Sequence, residues 1–439
     1  MLIAQRIISN ISDLSKSQRR FLLVLTLSIF CCRGRVNYLS LARVSGRSEK
    51  TFRRHFTQNL DFLAVHRASI DVGLGSNPQG MRVIAFDPSF LPKSGKMTPG
   101  LGWFWNGSAS RAEYGLEATV TAIVDVKSRK AMTLAIQQTI VETNQKKPPQ
   151  TSTKNTTKND AANAVECLRI DEYLRHVKNV IPFLHSHESH WVVDGYFAKR
   201  TFLDGMKKLK QECITKLRAD ANMTYLYAGE QSKGRGRPKI HDGKVVWNAL
   251  RTEVFERQQC EDGTILLTAI LYHQGLKRRL RMVVVQQSQS DGSIRQTLLA
   301  STDLALNAEE IPEAYRARFQ VEFLIRDSKC HTGFTDGQAR STEALGFHLN
   351  ASMLALNCAR AEHFQSLAHQ TKKTTTAFSM DSRKTIAFNE HFAEMIFSIF
   401  GLPTIVWTFL QYEQENFVRS PIKSQFLLKN FLLCKPHKI

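Results

Sequence analysis

Arg82–Asp87 reads RVIAFD, a short β-branched and apolar run that closes on a carboxylate and is followed by Pro88. Such a run predicts a buried strand, and open sheets carry reactive groups beyond the carboxyl ends of their strands. His190–Asp194 (HWVVD) repeats the pattern, with Gly195 after the carboxylate. Taken singly, each aspartate reads equally as the start of a turn, where Asp is common. Taken together on neighbouring strands, they bring hard oxygen donors to one spot, the donor type that Mg²⁺ requires.

Working outward, Gly115–Val126, Ala131–Thr139 and Cys213–Leu217 read as strands, and Ala162–Phe183 and Ala198–Leu209 as helices. Val245–Ser288 returns to β-like runs, including Thr264–Tyr272 and Leu280–Val285, before helical patterns over Ile311–Lys329 and Glu343–His363. Turn-rich or polar stretches interrupt at Gly73–Gly80, Thr143–Asn163 and Ala228–Gly243. This order predicts an α/β fold: a ribonuclease-H-like catalytic core with a β-strand insertion, preceded by an α-helical DNA-binding domain. The expected divisions are residues 1–75 (helical, helix-turn-helix-like), 81–222 (first part of the core), 223–310 (β-rich insertion), 311–370 (catalytic core helices) and 371–439 (C-terminal helical region and tail).

The net charge of +21 points to a polyanionic partner, nucleic acid first. Asn37–Phe56 (NYLSLARVSGRSEKTFRRHF) has the pattern of two short helices about a turn at Val44–Arg47, with Ser48 placed to cap the second. That second helix carries Lys50, Arg53 and Arg54, while Phe52 and Phe56 recur at core spacing, as in a helix that enters a major groove. An ordinary basic helical hairpin has the same pattern. Gly234–Lys239 (GRGRPK) reads either as a minor-groove segment or as a basic loop that touches phosphates; both put Arg235, Arg237 and Lys239 on DNA. The apolar run Phe21–Cys32 falls short of the ~20 residues that cross a bilayer. Ile396–Gln411 is broken by Gly401-Leu402-Pro403. No membrane association and a cytoplasmic location are therefore expected. The cysteines Cys31, Cys32, Cys167, Cys213, Cys260, Cys330, Cys358 and Cys434 form no C-x-x-C pair and read as reduced thiols.

Ala314–Cys330 reads AYRARFQVEFLIRDSKC. On a continuous helix at about 100° per residue, Tyr315, Arg318, Glu322 and Lys329 share a face roughly 60° wide. One carboxylate beside a phenol, a guanidinium and an ammonium suits a metal ligand next to a phosphate backbone, though a solvated mixed-charge face is the plainer reading. Asp327 lies well around the helix from Glu322, and Asp220 is the weaker rival to Asp194.

Those four residues reproduce the Y-(2)-R-(3)-E-(6)-K signature, and the chain resembles the DDE transposases of bacterial insertion sequences, in the insertion sequence 4 group. The resemblance spans roughly Asn37 to His363, and Asp87 and Asp194 fall where the family's first two aspartates lie. Ser89 departs from the threonine more usual after the first aspartate, and the Thr143–Asn163 loop is an addition. The resemblance implies that Asp87, Asp194 and Glu322 hold two divalent metal ions, Mg²⁺ or Mn²⁺, for DNA cleavage and strand transfer. Tyr315, Arg318 and Lys329 would grip phosphates. Transposon ends and target DNA would be the partners, with a homodimer in the DNA complex and a nucleoid-associated bacterial location. Some relatives flip a base onto an aromatic residue of the insertion, and Trp247 is the only Trp between Asp194 and Glu322. Two other functions fit the same residues: a ribonuclease-H-like nuclease that never joins DNA, and a non-enzymatic helix-turn-helix DNA-binding protein.

Overall fold

A computed structural model describes residues 2–78, 80–93, 95–140, 156–231, 238–369 and 377–400. The chain divides into two compact units, one made of Met1–Asp61 with the chain from Arg326 onward, the other of Phe62–Ile325.

The first unit opens with helices α1 (Leu2–Ser9), α2 (Lys16–Cys31), α3 (Tyr38–Ser45) and α4 (Glu49–Phe56). Ser15 and Gln18 close a reciprocal capping box on α2. The turn between α3 and α4 is written in local chemistry. Asn37 caps α3, Gly46 ends it with φ 65°, and the Ser48 side chain accepts from Thr51 N to start α4. A left-handed residue at that corner is cheap only for glycine. Phe52 and Phe56 are buried, packing with Phe21 and Phe347, while Lys50, Arg53 and Arg54 stay exposed.

The second unit holds α5 (Phe62–Leu74), then β1 (Arg82–Pro92), β2 (Gly102–Asn106), β3 (Arg111–Asp125) and β4 (Lys130–Gln138). There follow α6 (Thr156–Val180), β5 (Glu188–Val192), α7 (Arg200–Lys208), β6 (Glu212–Lys216), β7 (Met223–Leu226), β8 (His241–Lys244), β9 (Glu256–Gln259), β10 (Ile265–His273), β11 (Arg278–Ser288), β12 (Ile294–Ser301), α8 (Glu310–Ala317) and α9 (Gln320–Asp327). The strands form one sheet in the order β2-β3-β1-β5-β6-β12-β11-β10-β7-β8, with β4 on β3 and β9 on β10. Among the described residues, the β1–β5 and β5–β6 pairs alone are parallel. The insertion strands continue the same sheet, because β12 pairs antiparallel with β6 through Leu299↔Lys216 to Ser301↔Ile214. Val83–Phe86 are fully buried beneath Trp191, Phe197 and Phe202, which is why RVIAF needs apolar residues on both faces. Helices α10 (Thr342–His369) and α11 (Met380–Phe400) return to the first unit.

Three local readings are corrected. The strand at Arg82 does not end at Asp87; it runs on to Pro92, held by antiparallel pairing to β3 on one side. The pattern over Ile311–Lys329 is not one helix. It breaks at Arg318 and Phe319, where Val321 N and Glu322 N reach back only three residues, and Ser328–Thr332 widens into a π turn. The run from Val245 opens not on a strand but on a turn-rich stretch that includes a 3₁₀ turn at Thr252–Val254, and strands resume at Glu256. The Phe62–Leu74 helix belongs to the second unit. Among the described residues the cysteines are free thiols, and no helix is long and apolar enough to cross a membrane.

Candidate active site

The parallel pairing of β1 with β5 decides where the two aspartates lie. Its last pair is Ala85↔Val192, and Asp87 and Asp194 each follow two residues later. Both carboxylates are therefore level, just past the paired stretch, on strands about 4.8 Å apart. Asp194 leaves β5 as the N-cap of a short 3₁₀ turn, its side chain accepting from Tyr196 N at 2.9 Å. Its backbone carbonyl accepts from Thr215 Oγ1 at 2.9 Å, which ties the turn to β6.

The third carboxylate arrives from α9. Arg318, at the break between α8 and α9, lies 3.6 Å from Asp87 and donates to Glu322 at 2.8 Å. Its guanidinium stands 5.9 Å from the centre of the Tyr315 ring. Burial by itself would weaken the charge on Arg318. Asp87, Tyr315, Glu322 and Asp194 outweigh it and hold the guanidinium above its ordinary range. Burial pushes the Tyr315 phenol up; Arg318 opposes, and Asp194 and Glu322 add to the rise. One cation thus senses all three carboxylates. Asp87 and Glu322 are half-buried, with 21% and 38% of their side chains exposed, so solvent and ligands reach them.

The donor set is wholly oxygen: three carboxylates with one guanidinium among them, a surplus of negative charge that suits hard divalent cations. The three carboxylates do not converge to within 4.8 Å of one another, as His185, His187 and Glu188 do. A pair of ions about 4 Å apart needs spread ligands, not convergent ones. The histidine group is the poorer cation site, because both oxygens of Glu188 accept from Arg67 Nη1 at 3.0 and 2.8 Å.

Of the residues expected from sequence, Asp87, Asp194, Glu322, Tyr315 and Arg318 are gathered here. Lys329 belongs to the first unit, in the π turn, and so do Lys50, Arg53 and Arg54. Arg53 is paired with Glu49 and stacks over the Tyr38 ring at 4.9 Å. Trp247 is half-buried, its indole N–H fixed to Ala221 O at 2.9 Å. Lys239 pairs with Asp242 at 3.0 Å and stands over Tyr227. Arg235 and Arg237 lie outside the described residues. Asp220 is exposed and paired with Arg218. Sequence reading passed over Tyr196 and Lys199, which flank the Asp194 turn, with the ammonium 3.5 Å from the ring centre. The Asp-Gly-Tyr-Phe-Ala-Lys run was the only signal for them.

Residues 11–279 match the family model described as DDE superfamily endonuclease, a span that includes Asp87 and Asp194 and stops before Glu322. No curated protein matches. Among solved structures, the piggyBac transposase synaptic complex with hairpin DNA is similar over 100% of this chain and 83% of that one, at 12% identity and a TM-score of 0.36. A likeness of that size carries no weight for fold or function. The family match covers more than half of the sequence, and on it the chain belongs to the DDE superfamily endonucleases.

Proposed function

We propose that this chain is a DNA transposase of the insertion-sequence type, cutting DNA at element ends and joining the freed end to a target. The gathering of Asp87, Asp194 and Glu322 around Arg318 and Tyr315 carries the reading. The strand and helix order of the second unit supports a ribonuclease-H-like core, with three antiparallel strands, β4-β3-β1, followed by two parallel ones, β5 and β6. The complete Tyr315-Arg318-Glu322-Lys329 signature supports the insertion sequence 4 group.

Asp87, Asp194 and Glu322 would hold two divalent ions, Mg²⁺ or Mn²⁺, which supply activation of a water or 3′-hydroxyl and stabilisation of the leaving oxygen. The chain's own residues position the phosphate. Arg318 exchanges its carboxylate partners for phosphate oxygens, to which its planar fork is matched. Tyr315 keeps its proton, because its phenol is raised, and donates it in a hydrogen bond. Lys329 would neutralise a neighbouring phosphate. The exposed Lys50, Arg53 and Arg54 on the capped α4 would read the element end, with Arg235, Arg237 and Lys239 on flanking phosphates. Trp247 is the proposed stacking partner of a flipped base, although its anchored N–H and partial burial favour a fixed structural Trp. Synapsis of two ends calls for a homodimer on DNA in the bacterial cytoplasm. A match to endonucleases also favours a narrower reading, cleavage without joining.

The deciding experiment incubates end-containing DNA and Mg²⁺ with the protein and with Glu322→Gln. Cleavage should fall more than about a hundredfold, as loss of a metal ligand requires. Equal cleavage by both proteins would reject the reading, and cleavage without strand-transfer products would leave the nuclease.

A further inference from the structure

The row that holds Asp87 and Asp194 has a third member. Cross-strand partners point to the same face, and faces alternate along a strand. Ala85, Val192 and Ile214 are successive partners across β1, β5 and β6, and Ser301 of β12 continues that row. Two residues further along the three parallel strands, and so on the same face, come Asp87, Asp194 and Lys216. Lys216 is still held in the sheet there, by its pairing with Leu299. It therefore stands one strand spacing, about 4.8 Å, from the level of Asp194.

The contacts of the turn after Asp194 agree. A Cβ on Gly195 would lie 3.1 Å from Lys216 O, so that turn runs directly against Lys216. The backbone on either side is fixed. Val193 N donates to Ile214 O at 3.0 Å and Leu217 N to Leu298 O at 2.9 Å, and Thr215 and Leu217 are buried. The Lys216 side chain is exposed. Its neighbours among the cations are already engaged: Arg318 by Asp87 and Glu322, Lys199 by Glu166, and Arg218 by Asp220. Of these four cations, Lys216 alone has no carboxylate partner among the described residues.

We propose that Lys216 is a further substrate-binding residue of the active site, holding a backbone phosphate of the DNA next to the one that is cut. A lysine is a point charge on a flexible four-carbon stem, a form that takes phosphate without demanding a fixed angle. Its rigid backbone sets where the stem starts, and its free ammonium needs no carboxylate to be broken away first. Arg318 must exchange partners to reach phosphate; Lys216 need not. The inference rests on the DNA phosphoryl-transfer reading above.

The test measures binding of end-containing DNA by the full-length protein without divalent metal. Lys216→Gln should make the fall of log affinity with log salt shallower by about one, the signature of a single phosphate contact. Lys216→Arg should restore the slope. Lys208→Gln, the same change at an exposed residue of α7 ahead of β6, should leave the slope as in wild type. Neutral methylphosphonates, placed singly at the phosphates flanking the cut, then locate the contact. At one position the substitution should weaken wild-type binding about fivefold, as loss of an exposed ion pair does, and weaken Lys216→Gln no further. An unchanged salt slope, or equal sensitivity of both proteins at every position, would overturn the proposal. A slope lowered as much by Lys208→Gln would overturn it as an effect of overall charge. Because no cleavage is read, a protein that shows the masked position and never cuts would keep Lys216 and reject the mechanism. Cutting without a masked position would do the reverse.

Discussion

Two clusters on opposite faces of the β1–β3 pair use the same residue types to different ends. On one face, Asp87 meets Arg318, whose guanidinium stands near the Tyr315 ring. On the other, Glu117 accepts from Tyr173 Oη at 2.7 Å, with Arg169 close enough to act on it. Glu117 and Tyr173 are only 5% and 2% exposed. Burial raises the Glu117 carboxyl, against the opposing pull of Arg169 and the hydrogen bonds from Tyr173 and Thr139. The first cluster is open enough for a cation or a phosphate, and the second is sealed. The same acid, guanidinium and phenol therefore serve as a site where solvent reaches them and as a brace where it does not.

The sharpest way to break the contrast is Asp194→Asn. It should lower DNA cleavage more than about a hundredfold while leaving the melting temperature within a few degrees, since the side chain's single backbone hydrogen bond survives in Asn. A large drop in melting temperature with activity retained would make Asp194 a structural cap and nothing more. Arg318→Lys comes next. Lysine keeps the charge but loses the fork that reaches both Asp87 and Glu322, so cleavage should fall about ten- to a hundredfold. Wild-type rates in that variant would mean that a point charge is enough.

The smallest effect belongs to the sealed side. Glu117→Gln should retain most activity, because a buried carboxyl held toward its neutral form resembles the amide. Its signature is in pH. A carboxyl raised in the folded state costs stability as pH climbs from its ordinary range to the raised value, because the unfolded chain ionises first; below that window there is no cost. Wild-type stability should therefore decline across that window, and the variant's decline should be shallower. Identical urea-unfolding profiles against pH would show that Glu117 does not titrate there.

Much of this was legible in the chain. The apolar runs before Asp87 and Asp194 read as buried strands, as they are, and the turn chemistry of Asn37, Gly46 and Ser48 is local enough to be read residue by residue. Arg318 and Glu322 were placed together by helical spacing, and they do meet, even though the helix breaks between them. The break itself was hidden, since nothing in Arg318-Phe319 is a helix breaker. The second cluster was also out of reach, because nothing along β3 marks Glu117 as the partner of Tyr173, which lies on a distant helix.

What the sequence determined by itself was periodicity, charge and local caps, which are properties of neighbours along the chain. The level of Asp87 with Asp194 was decided by the parallel register of β1 and β5. The opposite faces taken by Asp87 and Glu117 were decided by which partner each residue of β3 meets. Both depend on hydrogen bonds between residues distant in sequence, where a slip of one residue would turn every side chain to the opposite face.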